Sequence, residues 1–200
     1  MSDLSIRSVM IADTLAEEII RGDLNQGSRL AQAHIAERFE CSHVPVREAL
    51  QRLVQMELAI AVPRRGVRVL TLSNPDHHEI LEMRLALEPL ALRQAVRGTT
   101  PQDHESMEIF RKACDKASDP ISWEKSNRLF HMAILRPCNR PRLLARIEQL
   151  QRLSAIHFHM RWRKNWSHAS DTEHGAILKA IRKADEDAAC AILARHLSRG

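Results

Sequence analysis

Three histidines stand among apolar neighbours at helical spacing. His131 follows Asn127 by four residues, with Phe130 and Ile134 on the same arc. His174 precedes Ile177, Leu178 and Ile181, and His196 follows Ile192 and Leu193. Residues three and four apart share a helix face, so these imidazoles are expected to face a helical interior, where an unpaired polar group is costly. Converging imidazoles with one side-chain oxygen make a transition-metal site that keeps positions open for water or a ligand. Hydrogen-bonded core histidines without a metal satisfy the same pattern. The other eight histidines show no comparable grouping and read as surface residues. Arg84 falls on an inward arc between Ile80 and Leu87. A buried guanidinium needs a partner: either Glu88, four residues on, or the carboxylate of a ligand, and both can hold at once.

A second group could read a polyanion. His43, Arg47 and Gln51 are four apart, with Arg52 and Gln55 beside them, opposite the stripe Val46, Ala49, Leu50, Leu53 and Val54. An arginine so placed can grip guanine O6 and N7 or a phosphate, and a glutamine can read adenine or a phosphate. Further on, Arg64, Arg65 and Arg68 charge the turn Pro63-Arg64-Arg65-Gly66. Taken singly, such arginines are also what a solvated helix face and a surface turn look like.

Elements that would position these groups follow from periodicity and breakers. Apolar positions from Val9 to Ile20 predict a first helix, ended by Gly22 and Gly27. A short second helix is expected over 32–39. Ser42 reads as the N-cap of a third, with Pro45 in its first turn. Ile60, Val62, Val67 and Val69 alternate around the basic turn, as in a β-hairpin. Three helices and a basic hairpin within 60 residues form the winged helix-turn-helix order: one helix buttresses a second that enters the major groove, and the wing reaches along the backbone. After Ser73-Asn74-Pro75 only helices are expected, over 76–97, 101–117, 120–135, 140–162, 171–183 and 185–198. The expected organisation is therefore a winged domain over 1–72, a linker over 73–76 and an all-helical domain over 77–200.

Composition narrows the classes. The 44% apolar and 28% charged residues belong to an ordinary globular protein, and no stretch approaches the roughly 18 apolar residues of a membrane span. Residues 1–10 lack the apolar core of a signal peptide, so the expectation is a cytoplasmic protein. With no tyrosine and 4% aromatic residues, a base-stacking platform for single strands is disfavoured. Four scattered cysteines, Cys41, Cys114, Cys138 and Cys190, argue against a disulfide framework or zinc knuckle. Net charge is +5, but residues 1–72 balance nine arginines with nine acids. Local placement, rather than bulk charge, must locate a DNA reader.

Residues 9–70 resemble the DNA-binding domain of GntR-family bacterial regulators. The matching text is Ile20-Arg21-Gly22-Asp23-Leu24, Gly27-Ser28-Arg29-Leu30, Ile35-Ala36-Glu37-Arg38-Phe39, Ser42-His43-Val44-Pro45-Val46-Arg47-Glu48-Ala49-Leu50 and Pro63-Arg64-Arg65-Gly66-Val67-Arg68-Val69. The Pro-Val-Arg-Glu-Ala-Leu run is a signature of the FadR-like subgroup. The resemblance implies operator contacts from Arg47, from the start of the recognition helix (Ser42, His43, Val44) and from the wing around Gly66. His43 stands where the family usually has arginine, and Ala33 where a polar residue is common.

Residues 76–200 resemble the FCD ligand-binding domain, an all-α antiparallel bundle, through Glu82-Met83-Arg84-Leu85-Ala86-Leu87-Glu88-Pro89-Leu90-Ala91, Asn127-Arg128-Leu129-Phe130-His131, Glu173-His174 and Arg195-His196-Leu197. Metal-binding members hold a divalent metal, often zinc or nickel, with an Asp or Asn and three His. By position these are Asn127, His131, His174 and His196. Asn127 is neutral where Asp would be anionic, so weaker metal affinity is expected. The sequence ends four residues after His196, so a short last helix is expected.

The whole is expected to be a homodimeric regulator on a palindromic double-stranded operator, since a two-fold protein presents two recognition helices to two half-sites. A small carboxylate effector would bind at the metal and Arg84. A metalloenzyme is the main rival, but HExxH, a glycine-rich phosphate loop and a nucleophile elbow are all missing from the sequence. In another reading the metal is purely structural, or is itself the signal.

Overall fold

The computed structural model describes residues 3–162, 166 and 172–199. They divide into two compact units, Met1–Ser73 and Asn74–Gly200. In the first, helix α1 (Asp3–Arg21) is followed by strand β1 (Arg29–Leu30), α2 (Gln32–Arg38), α3 (His43–Gln55), β2 (Ala59–Val62) and β3 (Gly66–Val69). Helix α1 begins six residues earlier than its apolar repeat, because the apolar residues of its first turns, Leu4 and Ile6, are exposed and extend no buried stripe. Ser8, fully buried, satisfies its hydroxyl on the Ser5 carbonyl (3.1 Å). Its end needs a left-handed residue, and Gly22 (φ 76°) supplies one without a Cβ clash while its N–H donates to the Ile19 carbonyl.

Ile11, Leu15, Ile19 and Ile20 of α1 pack on the buried stripe Val46, Ala49, Leu50 and Leu53 of α3, with Leu58 and Val69 closing the core. That stripe fixes which side of α3 faces water. Ser42 takes the extended backbone of an N-cap, but its side chain makes no capping hydrogen bond. Strand β1 is an addition to the expected hairpin: two residues pair antiparallel with β3, giving the order β1-β3-β2. Two residues carry no readable alternation, which is why periodicity misses them. Of the alternating residues Ile60 is 45% exposed, and the buried hairpin residues are Ala59 and Val69.

In the second unit, α4 (Asn74–Val96), α5 (Pro101–Lys116), α6 (Pro120–Leu135), a 3-10 turn (Arg136–Cys138), α7 (Pro141–Trp162), α8 (Thr172–Arg182) and α9 (Glu186–Arg199) form a helical bundle. The expected linker over 73–76 is mostly helix: Asn74, Pro75 and Asp76 belong to the first turn of α4. Proline there lacks only an N–H that the helix would leave unpaired anyway. Phe130, Ile134, Leu92, Ile147, Ile177 and Leu193 form the centre of the core.

Two starts are set by sequence. Asp119 accepts from the Ile121 and Ser122 N–H groups (2.9 Å each) ahead of Pro120, which fixes the phase of α6. Thr100 and Asp103 form a reciprocal capping box on α5, with Asp103 N–H donating to the Thr100 hydroxyl oxygen (3.2 Å) and Thr100 N–H to the Asp103 carboxylate (2.8 Å). Thr100→Ala is expected to lower stability by about 1 kcal/mol, read as a lower urea midpoint at unchanged slope. A midpoint equal to the wild type's would show the box contributes nothing.

Candidate functional site

On the first unit, Ser42, His43, Val44, Arg47 and Gln51 are all exposed on one end and face of α3. No side chain among His43, Arg47, Gln51, Arg64 and Arg65 has a hydrogen bond or ion pair within the described residues. These donors are therefore available to a partner. The wing turn runs through Arg64 (φ 60°) and Gly66 (φ 80°), and the Arg65 N–H closes it on the Val62 carbonyl (3.0 Å). Arg68 departs from its expected role as a wing cation. Its Nη1 donates to the Gly27 carbonyl (2.8 Å), half-buried, because the pairing of β3 with β1 sets Arg68 opposite Arg29, next to that loop.

On the second unit, α6, α8 and α9 bring His131, His174 and His196 together, with one ligand nitrogen from each inside a 4.8 Å cluster. His131 Nε2 lies 3.1 Å from His196 Nε2. Behind each stands a carboxylate: His131 Nδ1 is 3.0 Å from Glu88 Oε2, and His196 Nδ1 is 3.4 Å from Glu173 Oε2. If each Nδ1–H donates to its carboxylate, the two Nε2 lone pairs face one another, an arrangement that a cation between them relieves. His174 is wholly buried against Phe130 (ring centroids 4.2 Å). Burial, then the neighbouring His131 and His196, push its pKa down to about 2. It is therefore the neutral imidazole that ligation requires. Asn127, one turn before His131, lines the same cavity, and its buried Oδ1 has no hydrogen-bond partner among the described residues. This donor set fits a divalent metal: three imidazole nitrogens and an orphaned oxygen.

Arg84 resolves toward its structural partner while still reaching the cavity. Its Nε donates to Glu88 Oε1 (2.7 Å) and its Nη1 to Ser154 Oγ (2.8 Å), and the residue lines the pocket. Glu88, fully buried, would be pushed towards neutrality by burial alone, but the Arg84 charge and the His131 hydrogen bond hold its pKa at about 2. The cavity is about 460 Å³, a size suited to a small ligand.

Sequence reasoning missed several lining groups. Gln151 is 3% exposed, and neither its Oε1 nor its Nε2 has a hydrogen-bond partner among the described residues. The remaining histidines are not all surface residues. His77 and His157 stack in parallel (3.6 Å, 8°) at the cavity, and His159 is buried with its Nε2 3.7 Å from Glu124 Oε2. Their inward side follows from tertiary packing of α4 on α7, which one helix's periodicity does not reveal. His168 lies outside the described residues.

A winged helix-turn-helix on one unit and a histidine-lined cavity in a helical bundle on the other define a DNA-binding transcriptional regulator. The chain belongs to the GntR family: residues 7–69 match the bacterial regulatory proteins of the gntR family, and residues 79–199 match the FCD domain. It is 32% identical over 146 residues to the HTH-type transcriptional regulator McbR of Escherichia coli (strain K12), covering 72% of this chain and 66% of that protein. It is 33% identical over 171 residues to the HTH-type transcriptional regulator BphR of Paraburkholderia xenovorans (strain LB400), covering 76% and 70%. The solved structure of E. coli McbR/YncC superposes with a TM-score of 0.88 at 27% identity, covering 100% of this chain and 95% of that one. These relatives are regulators rather than enzymes. No described helix is long and apolar enough to cross a membrane.

Proposed function

We propose that this chain is a cytoplasmic regulator of the FadR subgroup that binds a palindromic operator as a homodimer. A small carboxylate effector controls its affinity at a metal-containing pocket. Asn127, His131, His174 and His196 would hold the divalent metal, zinc or nickel. When bound, that metal supplies a Lewis-acidic seat for a carboxylate. Arg84 adds positive charge beside it, with two of its five donors already committed. The observation that carries this reading is the three-histidine cluster, braced by Glu88 and Glu173, with His131 and His196 in the wall of the cavity. An effector acts by binding the operator-competent and operator-incompetent states unequally.

The test is operator affinity at fixed salt, measured with zinc-loaded protein, with chelated protein, and across a panel of organic acids. Coupling predicts that at least one acid shifts affinity only while the metal is present. Affinity unmoved by every acid and by chelation would end the effector proposal. Chelation that lowers only thermal stability would make the metal structural.

On the DNA side, Arg65→Ala at the exposed wing should weaken binding evenly on specific and random duplexes. The slope of log affinity against log salt should flatten by about one. A loss confined to the specific site would instead assign Arg65 to base reading.

A further inference from the structure

The cavity has two unlike ends. Along α6, Trp123, Asn127 and His131 occupy one face at four-residue intervals and all line the cavity, so the face runs about 12 Å from indole to imidazole. On α7, Gln151 and Ser154 lie towards the histidine end, since Ser154 accepts from Arg84, which shares Glu88 with His131. Phe158 and Trp162, one and two turns further, line the other end, where Phe158 stacks on Trp123 (5.2 Å, 21°). All three tryptophans of the chain, Trp123, Trp162 and Trp166, border this one cavity. Phe158, Trp123 and Trp162 are half-buried, so each keeps surface uncovered by the protein.

The unpaired polar groups are distributed unevenly between the two ends. Most of the orphaned cavity atoms among the described residues, Asn127 Oδ1 and both ends of the Gln151 amide, lie on the histidine half. At the aromatic half Glu124 holds Arg128 (2.8 Å), and His77 stacks flat on His157, leaving its buried Nδ1 as the one orphaned cavity atom there among the described residues. Buried hydroxyls left unpaired are costly. A polyhydroxylated acid would therefore strand hydroxyls against indole faces, whereas a planar hydrocarbon gains by stacking there.

We infer that the effector is an aromatic carboxylic acid, its carboxylate at the His131–His196–Arg84 end and its ring against Trp123, Phe158 and Trp162. This rests on the metal-pocket proposal above and names the ligand class for that site.

Zinc-loaded full-length protein titrated with 2-naphthoate and, separately, with gluconate tests it. With no tyrosine in the chain and every tryptophan at the cavity, indole emission reports on this site alone. Naphthoate should quench or shift that emission and bind at least about tenfold tighter than gluconate. Phe158→Ala and Trp162→Ala should each remove most of that advantage while zinc content, measured separately, stays at the wild-type level. Gluconate binding as tightly as naphthoate in a zinc-dependent way would overturn the aromatic class and leave the metal pocket standing. A naphthoate affinity indifferent to both substitutions would overturn it as well. Failure of the protein to load zinc or bind either acid would remove the metal-pocket proposal and this inference with it.

Discussion

Glu88→Ala is expected to destabilise the helical unit by about 3–5 kcal/mol and to weaken zinc binding by roughly 10–100-fold. Both effects come from one fully buried carboxylate. Its Oε1 accepts from Arg84 (2.7 Å) and its Oε2 faces His131 Nδ1 (3.0 Å). Deleting it leaves a guanidinium only 12% exposed with no counter-charge. It also frees the His131 ring to rotate or change tautomer, so that Nε2 no longer aims at His196. Glu88→Gln separates the two roles. The amide keeps the volume and one acceptor, but its NH2 must confront either Arg84 or His131, both of which are donors here. It should therefore recover part of the stability and little of the metal affinity. Urea unfolding of the metal-free chain and a competitive zinc titration measure the two effects independently. A loss under about 1 kcal/mol in Glu88→Ala, together with unchanged zinc affinity, would mean that Glu88 neither neutralises Arg84 nor orients His131.

Much of this unit is legible in the sequence because its punctuation is local. Asp119-Pro120 and Pro137 bracket α6, and the helix spans 120–135 as the breakers alone predict. Local signals also mislead where tertiary context decides. Ser42 has the right type for a cap and the right backbone, yet its hydroxyl does not cap. Arg68 looks like a third wing cation until pairing of β3 with β1 places it beside the Gly27 carbonyl. The opening turns of α1 hold two apolar residues, Leu4 and Ile6, two apart and both exposed, so no helical period announces them.

The site divides in the same way. His131, His174 and His196 can be picked out because each shares a face with aliphatic residues, and that property belongs to one helix at a time. What organises them does not. Glu88 sits on α4, 43 residues before His131, and reads from sequence only as an i,i+4 partner of Arg84. Glu173 is adjacent to His174 in the chain, yet it braces His196. The aromatic wall is less visible still. Phe158 and Trp162 are four apart on α7, a spacing any amphipathic helix shows, and only the approach of Trp123 from α6 makes them one surface. Pairwise chemistry across helices leaves no period in either helix alone.

Arg47→Ala should cost about 1–3 kcal/mol of specific operator binding, while non-specific binding falls much less and discrimination at one base position relaxes. The exposed position of Arg47, between His43 and Gln51 on the outer face of α3, is what allows this reading. Directly behind it, Val46, Leu50 and Leu53 are fully or almost fully buried against α1, so the helix is held rigidly while its outer face stays clear. Removing the guanidinium therefore leaves the fold intact, and a changed affinity reports on the interface. The contrast with Arg65 makes the test discriminating. A wing arginine that meets only phosphate loses the same increment on every sequence, whereas a base reader loses it on one. Selecting duplexes with wild-type protein, then measuring both variants on the selected and on scrambled sequences across a salt series, separates the two. Equal losses on both duplexes for both variants would show that α3 meets the DNA only through its phosphates, and base reading would then have to come from other residues.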